Sequence, residues 1–481
     1  MFDIAIIGAG IVGASIAREL SRYRLRILLL EKNSDVGGEA TMANSGIVYN
    51  GHNTRKEKMK GRLTLAGSRM FPELCRELDV TYKSTDMIIA GFDDEDIKAL
   101  AELYERAAGN GIAGARLVDG AEALRLEPLL NGNVRSALFN PGCAVVDPWE
   151  LCIALAENAI RNGVELRLRS QVTAIERQDG GFVLTVNGEE RCVAALVVNC
   201  SGAYADRVNA MTASAPFAIE PKRGQYAVLD RNADFHPRHI ICHSKSESEK
   251  NAMIIPAVSG NVLIGPHMEK VSGKEAKETT AEAMEKLMKS AAKISGAAAG
   301  QRVIRSFSGL KAKCSLGDYY IEESREVPGF IQAAGINNPG LTSSPAIAAR
   351  VAGIVRGIWE REGREWAANP GFDPRRTRIT PFRRIPDQEK NDWIVGDPAY
   401  GRIICRCEEI SEGEIRAAIR RGAGAETVKS IRKRTRAGMG RCQGGFCGPR
   451  VTELLASELG RPLDEIEYEN GGSRLLIEPL P

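Results

Sequence analysis

Phe2-Asp-Ile-Ala-Ile-Ile-Gly-Ala-Gly-Ile-Val-Gly13 is the stretch from which the rest of the chain can be read. Its first six residues form a short, branched apolar run ended by glycine, the pattern of a strand buried on both faces of a parallel sheet. A helical pattern follows from about Ile11 to Arg22, and a second apolar run, Arg26-Ile-Leu-Leu-Leu-Glu31, reads as the next strand. The three glycines then have separate duties. Gly8 makes the turn, Gly10 lets backbone approach a pyrophosphate, and Gly13 allows helix and strand to pack closely. Glu31 ends the second strand 23 residues after Gly8, where a carboxylate accepts hydrogen bonds from ribose hydroxyls. This is a dinucleotide-binding βαβ unit, and by itself it admits NAD or FAD.

Outward from it, residues 34–51 are small and polar (Asp35, Gly37, Gly38, Thr41, Asn44, Ser45, Gly46), as backbone wrapping a cofactor or a plain surface loop would be. Residues 56–108 read as largely helical. Asp147-Pro148-Trp149-Glu150 is a helix start, with Asp as cap and Pro at the first position, and the helix is expected to reach about Arg161. Stretches 164–169, 171–177, 181–186 and 191–198 are β-rich and suggest a small sheet returning to the first domain. Residues 215–320 are strand-rich, with one long helix near 281–294. A strand over 329–335 leads into Ile336-Asn-Asn-Pro-Gly340 and a helix over about 341–360. Residues 369–398, rich in Pro, Arg and Asp, read as a linker.

The 481 residues suggest about three domains. Lys and Arg number 65 against 62 Asp and Glu, too even for a chain whose main partner is nucleic acid or an anionic membrane. No apolar run is long enough to span a bilayer. Asp3 and the lack of a basic start argue against a signal peptide. Eleven cysteines, an odd number, fit a reducing cytoplasm better than a disulfide framework. Cys75, Cys143, Cys152, Cys192, Cys200, Cys242 and Cys314 are scattered, mostly in apolar segments, and read as small core residues. Cys405, Cys407, Cys442 and Cys447 fall in two tight pairs and ask for a ligand.

Several of these pieces together resemble the glycine-oxidase/D-amino-acid-oxidase-like superfamily of FAD-dependent oxidoreductases. They are Gly8–Gly13 with Glu31, Ala43-Asn-Ser-Gly-Ile47, Val197-Val-Asn-Cys-Ser-Gly-Ala203 and Gly335-Ile-Asn-Asn-Pro-Gly-Leu-Thr342. The resemblance implies an α/β fold, with a Rossmann-like FAD domain (1–60, 140–210, 325–366) interleaved with an α+β substrate domain (61–139, 211–324). It implies FAD contacts from Gly8, Gly10, Gly13, Glu31, Lys32, Thr41, Asn44, Ser45, Gly46, Val172, Ser201, Gly202, Gly335, Pro339, Gly340, Leu341 and Thr342. The helix beginning at Leu341 would present its N-terminal N–H groups and dipole to the pyrimidine edge of the flavin, where reduction places negative charge. Within the superfamily, the anaerobic-type glycerol-3-phosphate dehydrogenases and the L-2-hydroxyglutarate dehydrogenases look closest. Tyr49 stands where both tend to have histidine, with His52 just beyond, and Lys311 stands where both tend to have arginine, losing the bidentate fork that suits a carboxylate or phosphate. His52 and Tyr49 are the candidates for base or positioning residue, ahead of His267, with His236, His239 and His243 read as surface. Arg223, Arg305 and Lys311 are candidates to bind a small anionic substrate.

The two cysteine pairs are separated by 34 residues. Cys-x-Cys is uncommon in zinc knuckles, whereas four thiolates on two loops, the second rich in glycine, suit a [2Fe–2S] cluster. Helices are expected over 411–421 and 426–434. The region resembles the bacterioferritin-associated-ferredoxin-like [2Fe–2S] domain, implying a linker over 367–400 and a small helical cluster domain over 401–481. The expected enzyme is a dehydrogenase that moves a hydride from a hydroxyl-bearing carbon to flavin N5 and sends electrons through the cluster to a redox partner, either a second flavoprotein subunit or an electron carrier. Glycerol 3-phosphate is favoured over L-2-hydroxyglutarate, and amine or opine oxidation is a third reading. An electron-transfer subunit without a substrate of its own is the alternative outside catalysis, and the length of 214–313 argues against it.

Overall fold

A computed structural model describes residues 1–214, 216–231, 234–244 and 252–476. Strand Phe2–Ile7 lies at the centre of the first sheet, parallel to Ile27–Leu30 on one side and to Glu190–Asn199 on the other. Glu165–Arg167 and Phe330–Ala334 extend the parallel set at either side. Successive residues of the central strand serve two cores, as the two-residue period of a strand requires. Ile4 and Ile6 face helices Ile11–Leu20, Pro148–Arg161 and Gly340–Arg361, while Ala5 and Ile7 share a core with Val172, Ile175, Phe182 and Leu184. The hairpin Val172–Gln178 with Gly181–Val186 carries that second core. The Asp147 carboxylate accepts from the N–H groups of Trp149 and Glu150, capping its helix as expected.

A second sheet of eight strands stands over the C-terminal ends of the first. In spatial order its strands are 303–314, 219–229, 262–270, 253–256, 240–243, 87–91, 136–140 and 116–119. Helix Ala281–Ile294, where the sequence placed it, packs Leu287, Ala291 and Ile294 against Ile241 and Ile254. The reading of 56–108 as largely helical needs correction. Helices Met59–Glu77 and Asp94–Gly109 are separated by strands Tyr82–Ser84 and Met87–Gly91. Met87-Ile-Ile-Ala-Gly91 is buried on both faces, and a short apolar run of that kind has no period to separate strand from helix. Helix Met59–Glu77 packs on helix Gly340–Arg361, so closely that a Cβ on Gly67 would lie 2.1 Å from the carbonyl oxygen of Thr342.

Residues 367–400, read as a linker, contain a helix, Asp387–Gly396. They are also strapped to the first domain, with Arg376 to Glu157 at 2.7 Å and Arg378 to Asp79 at 3.3 Å. Beyond them, helices Glu412–Arg420 and Val428–Thr435 match expectation, and a third, Gly448–Leu459, joins them around Ile415, Ile431 and Leu455. The seven scattered cysteines are buried and free. Burial pushes the Cys75 and Cys143 thiols up to about 12, so neither is a thiolate at neutral pH. Among the described residues no helix is long and apolar enough to cross a membrane.

Candidate functional site

A cleft of about 470 Å³ opens between the glycine turn and the second sheet. Gly8, Gly10, Glu31, Lys32, Thr41, Asn44, Ser45, Val172, Ser201, Gly202, Gly340 and Leu341 line it. The other residues expected at the cofactor stand one layer behind and shape its wall. Gly13 lies against the turn itself, where a Cβ would come within 1.9 Å of the Gly8 carbonyl oxygen. A Cβ on Gly46 would meet the Val146 carbonyl at 2.2 Å, and one on Gly335 would meet the Cys314 side chain at 2.6 Å. Pro339 precedes the first turn of helix Gly340–Arg361, and the Thr342 hydroxyl accepts from the Tyr49 N–H at 3.1 Å.

The cradle fits a dinucleotide. Gly8 has φ +101°, and a Cβ there would lie 2.7 Å from the Cys200 carbonyl oxygen, so this turn admits no side chain. The Glu31 carboxylate accepts from the Ala9 N–H at 2.8 Å and from Asn33 at 3.0 and 2.8 Å. Burial raises its pKa while those N–H groups oppose the rise. Thr41 Oγ1 accepts from the Ile11 N–H at 3.0 Å, tying the polar 34–51 segment to the start of the first helix. That segment is therefore part of the wall rather than a free surface loop. At the outer end Tyr204 stacks over the Lys32 ammonium at 3.9 Å and donates to Glu275 at 2.6 Å.

At the inner end the second sheet supplies Gly224, Tyr226, Gly309 and Lys311. A Cβ on Gly309 would lie 2.3 Å from that of Ala43, so the two domains touch there. Tyr226 is buried and hydrogen-bonded to Ser45. In the sequence it is one aromatic in an alternating strand, with nothing to distinguish it from core. Of the five candidates for chemistry, Lys311 lines the cleft. Tyr49 stands behind the wall, with its hydroxyl bonded to Asn338, which does line it. His52 is only 3% exposed, and its Nδ1 lies 3.1 Å from Asn50 Oδ1, away from the cleft. Burial, with help from Arg106, lowers its pKa to about 4, so it is neutral at physiological pH. Arg223 is held by Glu269 at 2.9 Å and by Glu278, and those carboxylates neutralise it. Arg305 donates to Gln443 at 2.9 Å, beside a clustered cysteine rather than in the cleft. His267 lies opposite Gln225 in the sheet, and no histidine lines the cleft among the described residues. His239 and His243, read as surface, are mostly covered and face Glu127 at 3.2 Å and Asp96 at 3.4 Å.

The four clustered cysteines converge in the C-terminal domain. Cys405 and Cys407 have sulfurs 3.8 Å apart, Cys407 and Cys442 3.9 Å, and Cys447 is hydrogen-bonded to Cys405. The Gly438 N–H points at Cys405 Sγ from 3.5 Å, and a Cβ on Gly440 would lie 2.3 Å from Cys407 Sγ. Glycine thus leaves N–H groups and space for sulfur. Among the described residues no three ligating side chains are gathered as around a single ion. Two thiolates for each of two irons is the donor set of a [2Fe–2S] cluster.

Residues 3–354 match the family described as FAD dependent oxidoreductase. The chain belongs to that family. Residues 403–457 of this FAD dependent oxidoreductase match the BFD-like [2Fe-2S] binding domain, which places all four cysteines inside it. Its cofactors are FAD and a [2Fe–2S] cluster. It is 42% identical over 480 residues to a glycerol 3-phosphate dehydrogenase of Caloramator mitchellensis, covering 100% of this chain and 99% of that one. A human mitochondrial L-2-hydroxyglutarate dehydrogenase is 31% identical over 47% of this chain and 52% of its own length. Among solved structures, the FAD-bound L-alpha-glycerophosphate oxidase of Mycoplasma pneumoniae superposes with a TM-score of 0.73 at 24% identity, covering 78% of this chain and 98% of that one. That likeness establishes the fold.

Proposed function

We propose that this FAD dependent oxidoreductase oxidises glycerol 3-phosphate to dihydroxyacetone phosphate and passes the electrons through its [2Fe–2S] cluster to a partner. The observation that carries the reading is the end-to-end identity with the Caloramator glycerol 3-phosphate dehydrogenase, which spans flavin and cluster regions alike. Similarity to L-2-hydroxyglutarate dehydrogenase covers about half of the chain. When bound, FAD accepts the carbinol hydride and releases electrons singly.

The chain's own residues prepare that step. Gly8 and Gly10 would let backbone approach the pyrophosphate of FAD, and Glu31 would receive its ribose hydroxyls. The first turn of helix Gly340–Arg361 would offer N–H groups to the negative charge that a reduced flavin carries. Lys311 supplies a cation at the inner end of the cleft for an anionic substrate. Arg223 is not needed for that role, because Glu269 and Glu278 already hold it. Tyr226 and Ser45 form a polar pair on the wall that orients substrate hydroxyls. His52, buried and neutral, shapes the wall rather than touching the reacting atoms.

The test is anaerobic turnover with a dye acceptor across glycerol 3-phosphate, L-2-hydroxyglutarate, glycine and sarcosine. Glycerol 3-phosphate should bleach the flavin fastest, and L-2-hydroxyglutarate doing so instead would overturn the substrate assignment. Lys311→Met should raise KM for glycerol 3-phosphate by about tenfold or more, the loss expected for one charge-assisted hydrogen bond. An unchanged KM would remove Lys311 from the anion site.

A further inference from the structure

Electrons leaving by the cluster must cross the surface nearest to it, and there an aromatic ring stands open to water. Phe446 lies within the 442–447 loop, next to Cys447, and is 87% exposed. A phenyl ring left in water forgoes the stabilisation that burial would give it. Arg406, between Cys405 and Cys407, is exposed and has no acidic partner among the described residues. Arg441, next to Cys442, is also exposed, and its ion pair to Asp230 is long at 3.4 Å. Glu409 is an exposed acid on the same loop.

Basic residues near a cluster have an obvious alternative duty. Four thiolates with an oxidised [2Fe–2S] core carry about two negative charges, which nearby cations offset. A separate, more enclosed set does this here. Arg305 and Arg432 both donate to Gln443, at 2.9 and 3.0 Å. Arg231 and Arg436 reach Glu408 at 3.2 and 3.1 Å, and Arg231 also donates to the Cys407 carbonyl at 2.6 Å. These residues are half-buried or buried between the domains, whereas Arg406 and Arg441 are exposed, Arg441 also reaching Asp230 at the edge of that seam.

We propose that the exposed surface of the cysteine loops, carrying Phe446, Arg406 and Arg441, is the docking face for an acidic one-electron carrier protein. The proposal rests on the electron exit proposed above. An exposed aromatic anchor within a polar, charged rim is the anatomy of a transient protein interface, and the charge of the rim selects an acidic partner. One electron passes from the reduced cluster to the carrier, with no bond made and no proton moved.

The experiment uses the full chain with both cofactors, anaerobically, and two haem proteins as probes: soluble cytochrome b5, which is acidic, and cytochrome c, which is basic. With glycerol 3-phosphate as donor at low ionic strength, cytochrome b5 should be reduced about tenfold faster than cytochrome c, and salt should erase the difference. Phe446→Ala, and separately Arg406→Glu with Arg441→Glu, should each slow cytochrome b5 reduction about tenfold. The electron paramagnetic resonance signal of the reduced cluster should still appear at the wild-type rate. Equal rates for the two cytochromes, or a Phe446→Ala rate equal to wild type, would overturn the proposal. So would a Phe446→Ala protein of altered native mass by light scattering, since the face would then belong to a second copy of this chain. If the substrate fails to reduce the cluster, the electron-exit reading falls, and cluster pre-reduced with dithionite still tests the face.

Discussion

His52 shows how far a residue's identity is from its role. In sequence it is a loop histidine beside a cofactor segment, a candidate for base or positioning residue although such a histidine is more often structural. Folded, it is sealed beneath the surface with Asn50, and burial holds its pKa at about 4. The linkage has a definite sign. Above pH 6.5 neither folded nor unfolded state carries the proton, and the protein keeps its full stability. As pH falls towards 4 the unfolded chain takes up a proton that the folded one refuses, costing up to about 3 kcal/mol. Replacing His52 with Gln should therefore flatten the fall in urea midpoint between pH 7 and 4.5, even if stability at pH 7 drops. An identical fall in both proteins would show that His52 is not the titrating group. Arg305 makes the complementary point. It is an ordinary strand cation until the cluster domain brings Gln443 against it.

At the scale of elements, boundaries were legible wherever a side chain closes on its own backbone. Asp147 and Ser411 cap their helices through contacts two or three residues away, and both starts can be read from the residues alone. In the cluster domain Ser411 and Glu414 form a reciprocal capping box. Ser411→Ala should cost about 1 kcal/mol, or more given that this site is buried, seen as a lower Tm of the cluster domain. An unchanged Tm would show that the cap is idle. Strands Tyr82–Ser84 and Met87–Gly91 were not legible, because their partners, Ala144–Val146, Ser136–Asn140 and Ile240–His243, lie far along the chain. The third helix of the cluster domain escaped for a different reason: it begins directly at Cys447, without a polar side-chain cap.

For the whole molecule, the cluster domain is held to the flavin domain by charge as well as by packing. Asp35, on the cofactor-wrapping segment, meets Arg434 at 2.8 Å and Lys433 at 2.7 Å, all three buried within the interface. Burial alone would raise the Asp35 pKa, but the two cations more than offset it and leave the carboxyl well below its ordinary range. Its contribution is present above the unfolded carboxyl pKa and is lost as pH falls below about 4. Asp35→Asn leaves two buried cations short of a counter-charge, at a cost of about 3–5 kcal/mol. The variant should expose residues 367–400 to limited proteolysis and slow reduction of the cluster, while substrate still bleaches the flavin. Unchanged proteolysis and cluster reduction would show that the ion pair does not hold the domains.

The sequence by itself determined the dinucleotide cradle and the four-cysteine site. Both depend on local constraints: glycines where a Cβ would strike backbone or sulfur, a carboxylate at a strand end, and thiols a few residues apart. The tertiary structure alone set the surroundings of the three candidate cations. Arg305 and Lys311 share strand 303–314, Arg223 lies on its neighbour, and the three look alike in sequence. Their places differ through contacts that lie far along the chain: Arg223 meets Glu269 and Glu278, Arg305 meets Gln443, and Lys311 is part of the cleft wall. A charge acts through whatever lies within a few ångströms of it, and for these residues only folding sets that neighbourhood.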